Sequence, residues 1–227
     1  MIYMPTSQTV KVWDLPVRLL HWSIVVCFVV SWATAAWFDN TMQIHLYSGY
    51  TLLVLVLFRI AWGFVGSSTA RFSHFVSGVR PVIIYASTLL QPRASHHHGH
   101  NPLGGWVVLA MLSLLLLQAI TGLFSNDDLL TTGPLAHWVS DDVSDIFSNI
   151  HSIAFYVLLA IVGLHITAVL FYRFFKHENL ITAMVTGNKT LPHDMPAHAI
   201  HLSSNWRAFI LLILIAGGVI AMVMYNN

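Results

Sequence analysis

Residues 149–175, NIHSIAFYVLLAIVGLHITAVLFYRFF, decide how the rest of the chain is read. The stretch is long and apolar enough to cross a bilayer, yet it carries His151 and His165. Fourteen residues (151 to 165) make just under four helical turns. The two imidazoles then share one face within about 40° and stand about 21 Å apart along the axis, most of a roughly 30 Å hydrocarbon core. One histidine belongs near each membrane face, and both point the same way. Ionisable groups inside a bilayer are expensive and usually functional, so this pair needs partners.

The whole chain supports that setting. Its 227 residues are 56% hydrophobic and 8% charged, where a soluble domain carries about a quarter charged residues. The mean hydropathy is +0.71. The expected class is an all-α integral membrane protein. Cys27 is the single cysteine, which excludes a disulfide framework, a cysteine-ligated iron–sulfur cluster and a CxxCH haem attachment. In its apolar run it reads as a small core residue.

Five segments pass the length test for a transmembrane helix: residues 15–38, 42–64, 103–124, 147–175 and 206–225. Trp13, Trp37, Trp62, Trp106, Trp206 and Tyr225 mark their ends, as an interfacial belt would. Ala33-Thr34-Ala35 resembles a signal-peptidase site, but the apolar run before it is too long and Lys11 and Arg18 make a weak n-region. The first segment is therefore expected to be retained.

Charge predicts the orientation. Lys11 and Arg18 precede or begin the first span, and Arg59, Arg71, Arg80 and Arg93 lie at the end of the second or after it. Arg173, Lys176, Lys189 and Arg207 lie between the fourth and the fifth. All ten basic residues fall on one side, which the positive-inside rule makes cytoplasmic. The opposite side holds Asp39, Asp127, Asp128, Asp141, Asp142 and Asp145 with no Lys or Arg. The N-terminus is expected inside and the C-terminus outside. In the cytoplasmic loop 65–102, residues 81–91 are too short to span and predict an interfacial helix. Residues 178–186 predict a short amphipathic turn or two before Gly187.

Two more of the 14 histidines fall inside spans. His21 lies near the inner end of the first, and His45 near the outer end of the second. Depth therefore suggests two pairs, His45 with His151 outside and His21 with His165 inside. Two neutral imidazoles facing each other across a helix bundle suit the iron of a non-covalent haem b. With both axial positions filled, electron transfer is favoured over oxygen chemistry at iron. The alternative, that each histidine is a structural hydrogen bonder or sits at headgroup level, does not account for four histidines at two matched depths. Zinc fits less well, since each level offers two histidines and no carboxylate or thiolate.

Arg18, three residues before His21, and Arg59, near the inner end of the second span, are candidates to reach haem propionates, against the plain reading of snorkelling arginines. Gln118, Thr121 and Gly122 suit either helix packing or the lining of a quinone pocket. His96, His97, His98 and His100 suit either a solvated loop or a loose metal or proton-collecting site. His193, His198 and His201 read the same way, and nothing specifies a role for His137.

The chain resembles the bacterial cytochrome b561 family, within the group that includes the b-type cytochrome subunits of nickel–iron hydrogenases. The residues that carry the resemblance are Val12-Trp13-Asp14-Leu15-Pro16-Val17-Arg18-Leu19-Leu20-His21-Trp22, then His45 with Ser48-Gly49-Tyr50. They continue with Gly99-His100-Asn101-Pro102-Leu103-Gly104-Gly105 and with His151 to His165. The resemblance covers about residues 10–190. It implies a four-helix transmembrane bundle holding two bis-histidine haems b, with ligand positions at His21, His45, His151 and His165. This gives a cytochrome domain over residues 1–190, followed by residues 191–227 as a linker and an added fifth helix. The resemblance also implies electron exchange with membrane quinones and with a redox partner.

Three readings of that partner follow. In the first, electrons pass between the quinone pool and a periplasmic protein such as a c-type cytochrome. In the second, superoxide is oxidised and quinone reduced. In the third, the chain anchors a hydrogenase-like complex in the membrane. Five aspartates between the third and fourth spans repel a small anion and attract a lysine-rimmed cytochrome, which favours the first. Gly217-Gly218 in the fifth span would suit subunit packing, and hence an oligomer.

Overall fold

A backbone in a bilayer must satisfy its own N–H and C=O groups, and long apolar runs do so as helices. The computed structural model describes residues 7–38, 41–91, 99–126, 131–192 and 200–226, and it is an all-α integral membrane protein. Its elements run β1 (Ser7–Lys11), α1 (Leu15–Ala36), α2 (Met42–Val65), α3 (Phe72–Phe75), α4 (Val79–Thr88) and α5 (Pro102–Phe124). They continue as α6 (Asp141–Phe174), α7 (Leu180–Thr186), β2 (Asn188–Pro192) and α8 (Asn205–Asn226), with short 3-10 turns at Ser68–Ala70 and Ala136–Trp138. Among the described residues five helices, α1, α2, α5, α6 and α8, are long and apolar enough to cross a membrane. Their large side chains point outward freely, among them Val26 (60% exposed), Leu164 (62%) and Leu214 (67%), as lipid rather than water permits.

α6 starts at Asp141, six residues before the 147 expected from hydropathy (147 − 141). Asp141 and Asp142 sit in its first turn, where carboxylates are stabilised by the helix dipole. The helix is therefore longer than its apolar run.

The chain gathers into two compact units. One is drawn from Met1–Leu19, Ala61–Leu109 and Gly163–Asn205, the other from Leu20–Ile60, Ala110–Val162 and Trp206–Asn227. The first, called here the capped unit, contains a two-stranded antiparallel ribbon, β1 on β2, in the register Thr9↔Thr190. Hydropathy did not suggest this ribbon. The backbone N–H groups of Val12 and Trp13 both donate to the Gly187 carbonyl (2.8 and 3.1 Å). Asp14 caps α1, accepting from Val17 N (2.8 Å), and its other oxygen accepts from Trp62 Nε1 (3.0 Å). α7 is capped by Asn179, whose Oδ1 accepts from Thr182 N (3.1 Å). It ends at Gly187 with φ +84°, where an added Cβ would lie 2.7 Å from the Trp13 carbonyl. Only glycine meets both demands. Lys189 and Glu178 form an ion pair at 2.5 Å, with side chains only 8% and 11% exposed.

The second unit, called the histidine-pair unit, has a core of Leu53, Leu123, Leu135 and Val219, with Met222 and Val223 packed against it. α8 is thus seated on residues of α2 and α5. Gly217 and Gly218 face open space on α8.

Candidate functional site

Within the histidine-pair unit, α2 and α6 bring His45 and His151 together, ring centroids 6.2 Å apart and planes inclined at 72°. His45 Nδ1 lies 2.9 Å from the Ser31 carbonyl of α1, and His151 Nδ1 lies 2.9 Å from the Gln118 carbonyl of α5. A carbonyl only accepts, so each Nδ1 is the donor, and in the neutral ring this leaves the lone pair on Nε2. Among the described residues, neither Nε2 has a hydrogen-bond partner.

The surroundings fix these rings. The Ser48 hydroxyl donates to the His45 carbonyl (2.9 Å) and stands 2.6 Å from the Ser31 hydroxyl, so the Ser31 proton points to Ser48. Thr121, 1% exposed, places Oγ1 3.2 Å from His151 Nδ1. A Cβ on Gly122 would lie 3.0 Å from His151 Cε1, so glycine makes the room the ring occupies. Gln118, Thr121 and Gly122, read from sequence as packing or quinone lining, form the wall that holds His151. In the sequence Ser31 carries no signal of its own, Thr34 reads only as part of a possible signal-peptidase site and Ser48 only as part of the family motif, so none of the three is assigned to the site. All they share is polarity on helices otherwise apolar.

Two imidazoles that each put Nε2 about 2 Å from one metal ion, on rings about 1.2 Å in radius, would have centroids about 6 Å apart. The observed pair fits a bis-histidine metal centre of the haem type, and the protonated Nδ1 atoms bonded to carbonyls are the orientation such ligands need.

The other candidates fall as follows. His21 on α1 belongs to the histidine-pair unit, and His165 on α6 to the capped unit. Arg18 Nη1 donates to the Val185 carbonyl (2.9 Å), while its Nε is buried with no hydrogen-bond partner among the described residues. Arg59 is 5% exposed, a depth at which guanidinium groups need anionic or polar company. Gln118 Oε1 is also buried without a partner among the described residues. His100 sits between Trp13 (4.8 Å) and Phe75 (4.7 Å), both buried, so it is packed rather than solvated. Close by in sequence, Asn101 Nδ2 donates to Tyr172 Oη (3.0 Å), which also bonds Tyr85 Oη. His137, Asp141, Asn126 and Asn226 line an open polar cavity of about 330 Å³ in the histidine-pair unit. Asp39, Arg93, His96, His97, His98, Asp127, Asp128, His193 and His198 lie outside the described residues.

A multi-pass membrane protein with an intramembrane imidazole pair of this spacing belongs with the membrane-bound cytochromes. The family model described as prokaryotic cytochrome b561 matches residues 12–187, and the chain belongs to that family. Curated relatives are similar at lower identity. The probable Ni/Fe-hydrogenase B-type cytochrome subunit of Rhizobium leguminosarum bv. viciae is 26% identical, over 80% of this chain and 89% of the relative. The probable Ni/Fe-hydrogenase 1 B-type cytochrome subunit of Escherichia coli K12 is 24% identical, over 79% and 90%. The corresponding Azotobacter chroococcum mcd 1 protein is 25% identical, over 84% and 92%. The chain is therefore a multi-pass b-type cytochrome of a bacterial membrane that carries haem b and transfers electrons with a redox partner. The family match ends before α8.

Proposed function

We propose that this cytochrome carries electrons across the membrane through two bis-histidine haems b, between the quinone pool and a periplasmic redox protein, most simply a c-type cytochrome. The observation that carries the reading is the His45–His151 pair, with its 6.2 Å spacing and both Nδ1 atoms committed to helix carbonyls. Bound haem supplies a one-electron ferric/ferrous couple. His45 and His151 would hold the outer group and His21 and His165 the inner one, and two imidazoles on each would favour electron transfer over ligand exchange at the metal. Arg18, whose Nε has no hydrogen-bond partner among the described residues, and the buried Arg59 would meet propionates. Residues 1–190 would form the cytochrome domain, and residues 191–227 a linker and fifth helix. Association through α8 would use its open Gly217–Gly218 face.

Two observations support a cytoplasmic N-terminus and a periplasmic C-terminus. β1 pairs with β2, which carries Lys189, and so shares the basic side. Asn226, near the end of α8, lines one cavity with Asp141, and so shares the acidic side. Asp141, Asp142 and Asp145 on the first turns of α6 would then face a basic partner. The names of the relatives favour a second reading, in which the partner on that face is a hydrogenase-like complex.

The experiment is a pyridine haemochrome assay with protein quantitation, then stopped-flow reoxidation of the reduced protein by a basic c-type cytochrome at rising salt. Two haems per chain and rates falling with ionic strength are expected. One haem or none overturns the two-site reading. Salt-independent rates overturn docking on the acidic face, and rapid haem reduction by superoxide with quinone following replaces the partner altogether.

A further inference from the structure

The two imidazoles are held by the same device on two different helices. Thr34 on α1 donates its hydroxyl to the Val30 carbonyl (2.7 Å) and to the Ser31 carbonyl (3.1 Å). Thr121 on α5 donates to the Leu117 carbonyl (2.8 Å) and to the Gln118 carbonyl (3.1 Å). Ser31 O and Gln118 O are the same two oxygens that accept the Nδ1–H of His45 and His151, each at 2.9 Å. On the α5 side Thr121 Oγ1 also stands 3.2 Å from His151 Nδ1, a longer contact than the one to Gln118 O, which leaves the carbonyl as the main acceptor. Thr34 is 9% exposed and Thr121 1%. Both threonines thus stand three residues beyond an acceptor carbonyl and four beyond a second one, and both are buried.

Each acceptor oxygen also faces the helix N–H four residues on, so three donors compete for two lone pairs. The threonine hydroxyl takes part of the carbonyl's capacity and weakens its pull on the imidazole N–H. A stronger pull would make the imidazole more basic and favour the oxidised metal, whereas a weaker one favours the reduced metal. We infer that Thr34 and Thr121 are a matched pair of positioning residues that raise the reduction potential of the haem held by His45 and His151. Each does so by diluting the hydrogen bond its ligand histidine makes to a helix carbonyl. The inference rests on those two histidines being haem ligands, as proposed above.

The test is a spectroelectrochemical titration of the intact, haem-loaded protein carrying Thr34→Val, Thr121→Val or both, with Thr34→Ser and Thr121→Ser as rescues. At a fixed ambient potential, the ferric/ferrous ratio of one haem should rise roughly threefold to tenfold in the valine variants. It should rise further in the double variant and stay near wild type in the serine variants, while the second haem does not move. The low-spin EPR signal of the ferric protein should keep its position, showing that the rings have not turned. An unchanged ratio, a fall, or an equal shift of both haems overturns the inference. So does loss of haem in the valine variants with wild-type potentials in the serine variants, since the hydroxyls would then be structural. Failure of the ligand reading is separately visible, because His45→Ala would then leave the haem content unchanged.

Discussion

The two units solve the problem of buried polar groups in opposite ways. In the capped unit the protein supplies both halves of nearly every described bond. Asp14 answers the end of α1 and the Trp62 indole, Gly187 answers two backbone donors, and Glu178 answers Lys189. In the histidine-pair unit the protein supplies one half. Each imidazole is anchored through Nδ1 and presents Nε2 with no hydrogen-bond partner among the described residues. Bonds completed by the chain itself fix local shape, whereas two matched atoms left open are what the proposed haem would complete.

The sharpest way to break this comparison is to remove one ring. His151→Ala should lower the haemochrome stoichiometry by one haem per chain, because the group proposed to sit between His45 and His151 would keep only one of its two imidazoles. Full retention of haem would mean that the paired Nε2 atoms are not what the unit is built for. Next in size, Lys189→Met leaves the Glu178 carboxylate buried without its cation, a loss of roughly 3–5 kcal/mol that a thermal melt in detergent would register. Haem content should hold if the capped unit is self-sufficient. The smallest effect sharpens the same point. His177, exposed at the end of α6, has φ 56°, while the Glu178 N–H closes on the Tyr172 carbonyl (3.0 Å). His177→Gly should stabilise the protein by about 1 kcal/mol, read as a small rise in melting temperature, since glycine adopts that backbone without strain.

Much of the fold was legible because the bilayer leaves a chain few choices. An apolar run of this length becomes a helix, and five such runs did. The β1–β2 ribbon was not legible. SQTVK and NKTLP show no strong alternation and lie far apart in the chain, and their pairing depends on the Gly187 turn that joins them to α1. The early start of α6 was hidden for a related reason. Its first turns are acidic, so hydropathy stops where the helix does not. At the site, depth pairs His45 with His151 and the family resemblance names both, and the structure brings those two rings together. Their supports were missed because a serine or threonine in a membrane helix ordinarily bonds its own backbone, and only the structure shows which of those carbonyls also receives an imidazole. Arg18 adds a role that neither sequence reading, propionate contact or snorkelling arginine, contains: one of its nitrogens ties down the end of α7.

α6 is one uninterrupted helix of 34 residues with both His151 and His165 on it. Between them lies no proline, bulge or loop in which an extra residue could be absorbed. One inserted or deleted residue would turn one histidine by about 100° relative to the other and move it about 1.5 Å along the axis. The segment from 151 to 165 can therefore vary in its letters far more readily than in its count. The spacing of the two histidines is a length the protein keeps, as a ruler keeps its divisions, whatever is written on it.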